Sequence, residues 1–484
     1  MPHHHTSHAI VGHTLCAMVA ALELAKQGEK VLLVNSGGAS SDGCGGHFSG
    51  INSGGKLFDL GFVTLELSTL LAQTTSTGLP EYNAALGNDA GRYLDVVNAW
   101  LTPLVELKNI STPQMFVGGE LFDDVLSANA LYALRQLPFA KSMCDEMVLF
   151  SANPNLHARY KTTARIYNTL DYATASIANH GYTFHHKLIA PYLKKVLHIH
   201  ANAMLASNHR MARLPLYWPE TLKKALKGEH IDLPPSTFTY PKHSSFAALT
   251  QKIAHLVKQN PLITCVQSPV SAVKSTDAGW LLTLNNALPV TCQHLAWARL
   301  PAELLLALNE KPQSVIENKA ALARLFLQIP SASICHSMSV LNVVDSQYSI
   351  YRVTNQSACA GFEDGIVQMV VEFNTDYFNT VYNITTADTD DEICKLLLQE
   401  LLEMGVLNSV EHISFAEVKR MPNGCLIPDL AAKNAFEQDI STLEERYPTI
   451  ARMGLSSGFY ATSFNDQIAQ GLQYATLQTQ ISQH

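Results

Sequence analysis

Residues 8–17 read HAIVGHTLCA, and the reading of this stretch decides the fold. An apolar run ends at Gly12, and the helical spacing of LCAMVAALELAKQ (15–27) begins three residues later. A second apolar run, KVLLV (30–34), follows Gly28. Strand, helix and strand within about 30 residues is the length of a parallel crossover. The turn into such a helix carries G-x-G-x-x-G when the unit holds a dinucleotide. Here the three positions are Gly12, Thr14 and Ala17. Gly12 permits the tight turn and Ala17 keeps helix and strand close, but Thr14 places a branched Cβ where backbone should approach a pyrophosphate. Its hydroxyl can donate to a phosphate oxygen, and the helix start still offers unpaired amides. A purely structural crossover with no nucleotide stays open beside that reading.

Working outward, the composition bounds the classes. The chain has 484 residues, enough for two or three domains or one interleaved enzyme. Apolar residues make up 47% and charged residues 15%, against roughly 25% in ordinary soluble domains, which points to much buried surface or an apolar cleft. A net charge of −8 with no basic run argues against nucleic-acid binding. No run of about 18 apolar residues suggests a membrane span, and the start, MPHHHTSHAIVG, lacks a signal-peptide layout. Nine scattered cysteines without a C-x-x-C pair fit reduced thiols, so a cytoplasmic location is expected. The 20 histidines include His185, His186, His198 and His200, but in a helix i and i+2 diverge, so no metal site is expected. Hydrolase, phosphate-loop and zincin motifs are missing.

Along the chain, a glycine-rich loop SGGASSDGCGGHFSG (36–50) precedes FDLGF (58–62). Segments 78–110, 120–150 and 185–230 read as mostly helical. FAALTQKIAHLVKQN (246–260) is an amphipathic helix, followed by strands near 262–266, 269–274 and 279–284, and by strand, turn and helix across 291–305. Residues 349–355 and 366–374 read as strands, and 389–405 and 463–480 as helices. Alternating α/β thus occurs at the start, again near 245–305, and at the end. A first domain closed by sequence-distant pieces explains that order.

These segments together resemble the FAD-dependent amine oxidase superfamily, in its protoporphyrinogen oxidase-like and UDP-galactopyranose mutase-like branch. CGGHF (44–48) is similar to the family's glycine pair, with His47 in place of the usual arginine, and FDLGF resembles its Phe-Asp-Leu-Gly stretch. SPVSAVKSTDAGWLLTL (268–284) resembles the strand pair whose valine covers the adenine. IYRVTNQS (350–357) and VVEFN (370–374) resemble an arginine-bearing strand and its glutamate-bearing partner. ARMGLSSGFYATSFNDQIAQGLQYA (451–475) resembles the closing segment that brings backbone amides to the flavin.

The resemblance implies an α/β fold: a discontinuous, GR2-type FAD-binding Rossmann-like domain with an inserted mixed α+β substrate domain and a helical subdomain. FAD-binding parts would be 1–75, 236–310 and 446–484, with a helical subdomain at 76–235 and a substrate domain at 311–445. It implies FAD held noncovalently by Gly12, Thr14, Leu15, Ala17, Asn35 and Ser36; by Gly45, Gly46, His47, Gly61 and Phe62; and by Val270, Ala298, Arg452, Gly454, Ser463 and Phe464. Asp59 belongs to the same set of retained motif positions. Asn35 stands where the family has a glutamate on the ribose, and it accepts without charge assistance. Arg352 is the substrate-side candidate: it either faces a substrate anion or pairs with Glu372. Tyr460 either lines the cavity or sits in the core. The catalytic residues are not identified.

The implied function is a flavin-dependent oxidoreductase acting on a C–N or C–C bond of a small biosynthetic substrate. Two alternatives stay open: a sugar-nucleotide mutase-like enzyme, and a flavin-free scaffold or partner subunit.

Overall fold

The structure is a computed structural model, and it describes residues 4–35, 45–66, 90–151, 169–231, 236–285, 289–314, 319–336, 338–363, 365–384, 389–421, 427, 429–457 and 463–482. The opening stretch forms the strand His4–Val11, the helix Leu15–Lys26 and the strand Val31–Asn35. Thr14 is the N-cap of that helix, its hydroxyl accepting from the Ala17 amide.

His4–Val11 lies between Val31–Asn35 and Pro289–Trp297, parallel to both, with His8 opposite Val31 and Val11 opposite Trp297. Ile263–Gln267 adds a parallel strand outside Val31–Asn35, and Ala451–Arg452 pairs parallel with the end of Pro289–Trp297. Gly279–Leu284 and Val270–Thr276 extend the sheet in antiparallel fashion. Three separated stretches of chain, 4–35, 263–297 and 451–452, therefore build one seven-stranded sheet among the described residues.

Both faces of the parallel layer are covered, which is why its strands are apolar at nearly every position. Ile10 and Leu33 face a core shared with Leu15–Lys26, Phe246–Gln259 and the closing helix Phe464–Ser482. Ala9, Val11, Leu32 and Val34 face the helix Pro301–Ala307 together with Leu443 and Ile450. The opening and closing helices cross closely at Gly471, where an added β-carbon would lie 2.6 Å from the Cys16 carbonyl oxygen.

A second seven-stranded sheet runs in the order Phe415–Met421, Leu322–Pro330, Ile366–Asn374, Ile350–Asn355, Val340–Val343, Gln114–Val117, Glu120–Asp123. Its pairings are antiparallel except that of Val340–Val343 with Gln114–Val117. The helix Asp390–Glu403 packs its Ile393, Leu397 and Leu401 on one face. The other face meets the hairpin Ile51–Phe58: Phe326 packs edge-on against Phe58, and Gln328 donates to the Gly54 carbonyl at 2.9 Å.

The strands near 262–284, the strand and helix within 291–305, and the helices near 389–405 and 463–480 form as the spacing predicts. The stretch read as mostly helical is mixed instead. Leu107–Asn109 is a strand paired with Phe238–Pro241, and Glu120–Asp123 pairs with Gln114–Val117 because Gly118 and Gly119 both take positive φ and turn QMFV back on ELFD. No described helix is long and apolar enough to cross a membrane.

Candidate functional site

At the C-terminal edge of the parallel layer several turns converge through backbone hydrogen bonds. Gly12 donates to Val34 (2.9 Å), Ala298 to Val11 (2.8 Å), Met453 to Trp297 (2.9 Å) and Gly45 to His13 (2.6 Å). Gly12 has φ +118° and lies against Ala298, where an added β-carbon would come within 3.2 Å. Gly45 has φ +84°, and a β-carbon there would collide with the Thr250 methyl; Gly46 faces open space. Ligands of open α/β sheets bind at this edge, so these turns form the floor of the candidate site.

Asn35 ends its strand in a buried position, and its carbonyl accepts from the Ser268 amide at 2.8 Å. Val270 lies two residues beyond Ser268 and opens its own strand. Leu15 and Ala17 are wholly buried in the core beneath the opening helix. Ser463 and Asp466 cap the closing helix reciprocally. Phe464 packs edge-on against Phe48 and tilted on Phe246, with centroids 5.0 and 4.7 Å apart, so it ties the glycine loop to the core. Arg452 pairs with Glu444, while its Nη1 is buried with no partner. Ser36 and Tyr460 lie outside the described residues.

The wall opposite the floor comes from the second sheet. Strand register places Lys419, Arg324, Glu372, Arg352 and Asn342 in one row across five strands. Arg352 donates from Nε to Asn342 Oδ1 (3.0 Å) and from Nη2 to the Tyr192 hydroxyl (2.8 Å), with Glu372 at 3.5 Å from Nη1. Burial works against its charge, but Tyr192, Glu372 and Tyr351 outweigh that and raise its pKa. Burial holds the Tyr192 and Tyr351 hydroxyls protonated by raising both. Glu372 also accepts from Tyr351 and from the Phe62 amide at 3.2 Å. Gly61, at φ +81°, sits directly on that carboxylate and leaves no room for a side chain.

Between floor and wall stand Phe62 and His47. Arg213 lies 4.2 Å over the Phe62 ring and donates to the Phe62 carbonyl. His47 is exposed to solvent, and the Arg324 charge disfavours its protonated form. At neutral pH it is an uncharged imidazole. Arg324 carries a buried Nε with no partner. Nearby, Asp59 accepts from Tyr240, Phe246 and Ala247, so its carboxylate anchors the start of the helix Phe246–Gln259. Burial raises its pKa to about 6.

Sequence reasoning singled out Arg352 and Glu372 but missed Tyr192, Arg213 and Arg324. Arg324 had a usable signal, a lone arginine within the apolar run LARLFLQIP; Tyr192 and Arg213 had none. Among the described residues, no three His, Cys, Asp or Glu side chains are grouped to hold a metal ion.

Solved structures share this architecture over nearly their whole length. A reduced UDP-galactopyranose mutase aligns with a TM-score of 0.68 at 15% identity, covering 98% of this chain and 96% of the other. A protein named for protoporphyrinogen oxidase, from Exiguobacterium sp. 255-15, aligns with 0.62 at 12%, covering 99% and 100%. A putrescine oxidase bound to putrescine aligns with 0.62 at 12%, again covering 99% and 100%. No protein-family model matches the sequence, and no curated protein does. At these identities the likeness is one of fold: the chain shares the fold of these solved structures.

Proposed function

We propose that the chain is a flavin-dependent oxidoreductase that holds FAD noncovalently along the floor and admits a small organic substrate between floor and wall. The observation that carries this reading is the convergence of Gly12, Gly45, Ala298 and Gly454 on the start of the opening helix, opposite a polar row on a separate sheet. In outline the donor set fits a dinucleotide. Backbone amides at a helix start suit phosphates, two left-handed glycines leave room beside them, and Asn35 ends the second strand, where a ribose hydroxyl is met. The fit departs from the usual one at Thr14 and at the uncharged Asn35. When bound, FAD would supply a hydride acceptor.

The protein's own part is orientation and exclusion of water. His47 offers a neutral ring, Phe62 an apolar face pinned by Arg213, and the Tyr351–Glu372 pair a buried hydrogen-bonded acid and hydroxyl. The substrate is taken to be an amine or a comparable C–H donor, in line with the putrescine oxidase likeness. The division proposed with this reading has FAD-binding parts at 1–75, 236–310 and 446–484, a helical subdomain at 76–235 and a substrate domain at 311–445.

A second reading keeps the cleft and makes the reaction a redox-neutral change in a phosphorylated sugar. Arg324 favours it, since its buried Nε lacks a partner whereas Arg352 is already engaged by Asn342, Tyr192 and Glu372. The test is spectroscopic. Purified protein is expected to absorb in the flavin bands or to acquire them with added FAD; no absorbance after reconstitution overturns both readings. Anaerobic bleaching by diamines supports the first, and turnover of sugar nucleotides with a reduced flavin supports the second.

A further inference from the structure

Backbone amides that should face dinucleotide phosphates are already occupied. In the first turn of the opening helix, the Cys16 amide donates to Gln467 Oε1 at 3.2 Å and the Ala17 amide to the Thr14 hydroxyl at 3.4 Å. The Gly454 amide donates to Gln470 Oε1 at 2.6 Å. Gln467 and Gln470 are one turn apart on the closing helix, and both are buried. A β-carbon added at Gly454 would lie 3.3 Å from Cys16 Sγ and 3.5 Å from Gln467 Nε2, so the three residues are close neighbours. Gln470 Nε2 is buried with no acceptor, an expensive arrangement inside a protein. A carboxamide whose oxygen caps an amide while its nitrogen stays unsatisfied suits a group standing where a better acceptor belongs.

We infer that Thr14, Gln467 and Gln470 act as place-holders for phosphate oxygens, closing the seat until a dinucleotide displaces them. The inference rests on the reading of FAD as the cofactor. Its physical content is competition: affinity falls by the fraction of molecules in which the seat is open. Removing a competing carboxamide should therefore tighten binding, whereas removing a true ligand would weaken it. A carboxylate at the same position should do the reverse, since it caps the helix start more firmly and repels phosphate.

The test is titration with FAD, followed by fluorescence and by thermal shift, of the full-length protein and four variants. Gln467→Ala and Gln470→Ala are expected to bind FAD roughly five- to tenfold tighter, the worth of about one neutral hydrogen bond. Both should melt lower without FAD, because an amide is left bare. Gln467→Glu is expected to bind more weakly than wild type. Gln473→Ala, on the exposed side of the same helix, should match wild type. If wild type binds FAD and neither alanine variant binds tighter, the place-holder inference fails and the cofactor reading stands. If no form binds FAD, both fail. Should one alanine variant not fold, the other together with Gln467→Glu decides the sign.

Discussion

Asp59 illustrates how this chain spends its few charges. Its carboxylate is 1% exposed, bonded to two amides and the Tyr240 hydroxyl, and burial lifts its pKa from the ordinary 3.8 to about 6. Because the folded value lies above the unfolded one, protonation and folding reinforce each other. The resulting stabilisation is complete below pH 3.8 and is lost as pH rises through 6, a swing of roughly 3 kcal/mol. Asp59→Asn has no such titration. The stability difference between wild type and this variant, measured by urea unfolding at pH 4 to 7, should therefore shift by about that amount in the variant's favour as pH rises. Parallel profiles would refute the assignment.

Asp124, Glu400 and Asp439 are buried in the same way on backbone amides and hydroxyls. Glu372 differs, since it is shared among Arg352, Tyr351 and Phe62. Glu372→Ala strands the Arg352 charge and is expected to destabilise by about 3–5 kcal/mol, while Glu372→Gln should lose less. Equal losses in chemical denaturation would show that the whole loss comes from the missing charge and that the hydrogen bonds a glutamine could keep contribute nothing.

Among the elements, the closing helix does the most to link fold and site. Its Gly471 allows contact with the opening helix, and the same packing presents Gln467 and Gln470 to Cys16 and Gly454. Gly471→Ala would improve helix propensity by roughly 1 kcal/mol in an isolated helix. Here the added methyl meets the Cys16 carbonyl and Val19, so overpacking wins and a net loss of about 1–3 kcal/mol is expected in thermal or urea melts. A stabilised variant would mean that the helices are not closely apposed.

Legibility also divides by element. The crossover, the amphipathic helix at 246–259 and the closing helix could be read because their period and caps agree. Much of the second sheet could not: Val340–Val343 is four residues long, and LARLFLQIP is an apolar run with no period that separates strand from helix. The Gly118–Gly119 pair is the one hairpin signal there, and QMFV and ELFD on either side do not alternate, so the two strands carry no period of their own. Gln467 and Gln470 carried no sequence signal at all, since a glutamine in a helix is ordinary until the fold sets it against an amide.

For the whole molecule, the arrangement of the floor has a thermodynamic consequence. Turns at 12–14, at 45, at 298 and at 454 meet there, so a ligand seated among them touches segments from both ends of the chain. The second sheet is also tied to the segment 53–62, which follows the floor turn at 45, by Glu372 to Phe62, Gln328 to Gly54 and Glu417 to Ser53. Loosening the floor therefore exposes contacts on which the second sheet depends. Calorimetric melting is expected to show one main transition, and saturation with FAD should raise it as a unit. At a hundredfold excess over Kd the gain is about 2.7 kcal/mol for a ligand that binds only the folded chain. If FAD instead splits the melt, raising one component and leaving the other in place, the sheets unfold independently. The ties through Glu372, Gln328 and Glu417 would then be too weak to couple them.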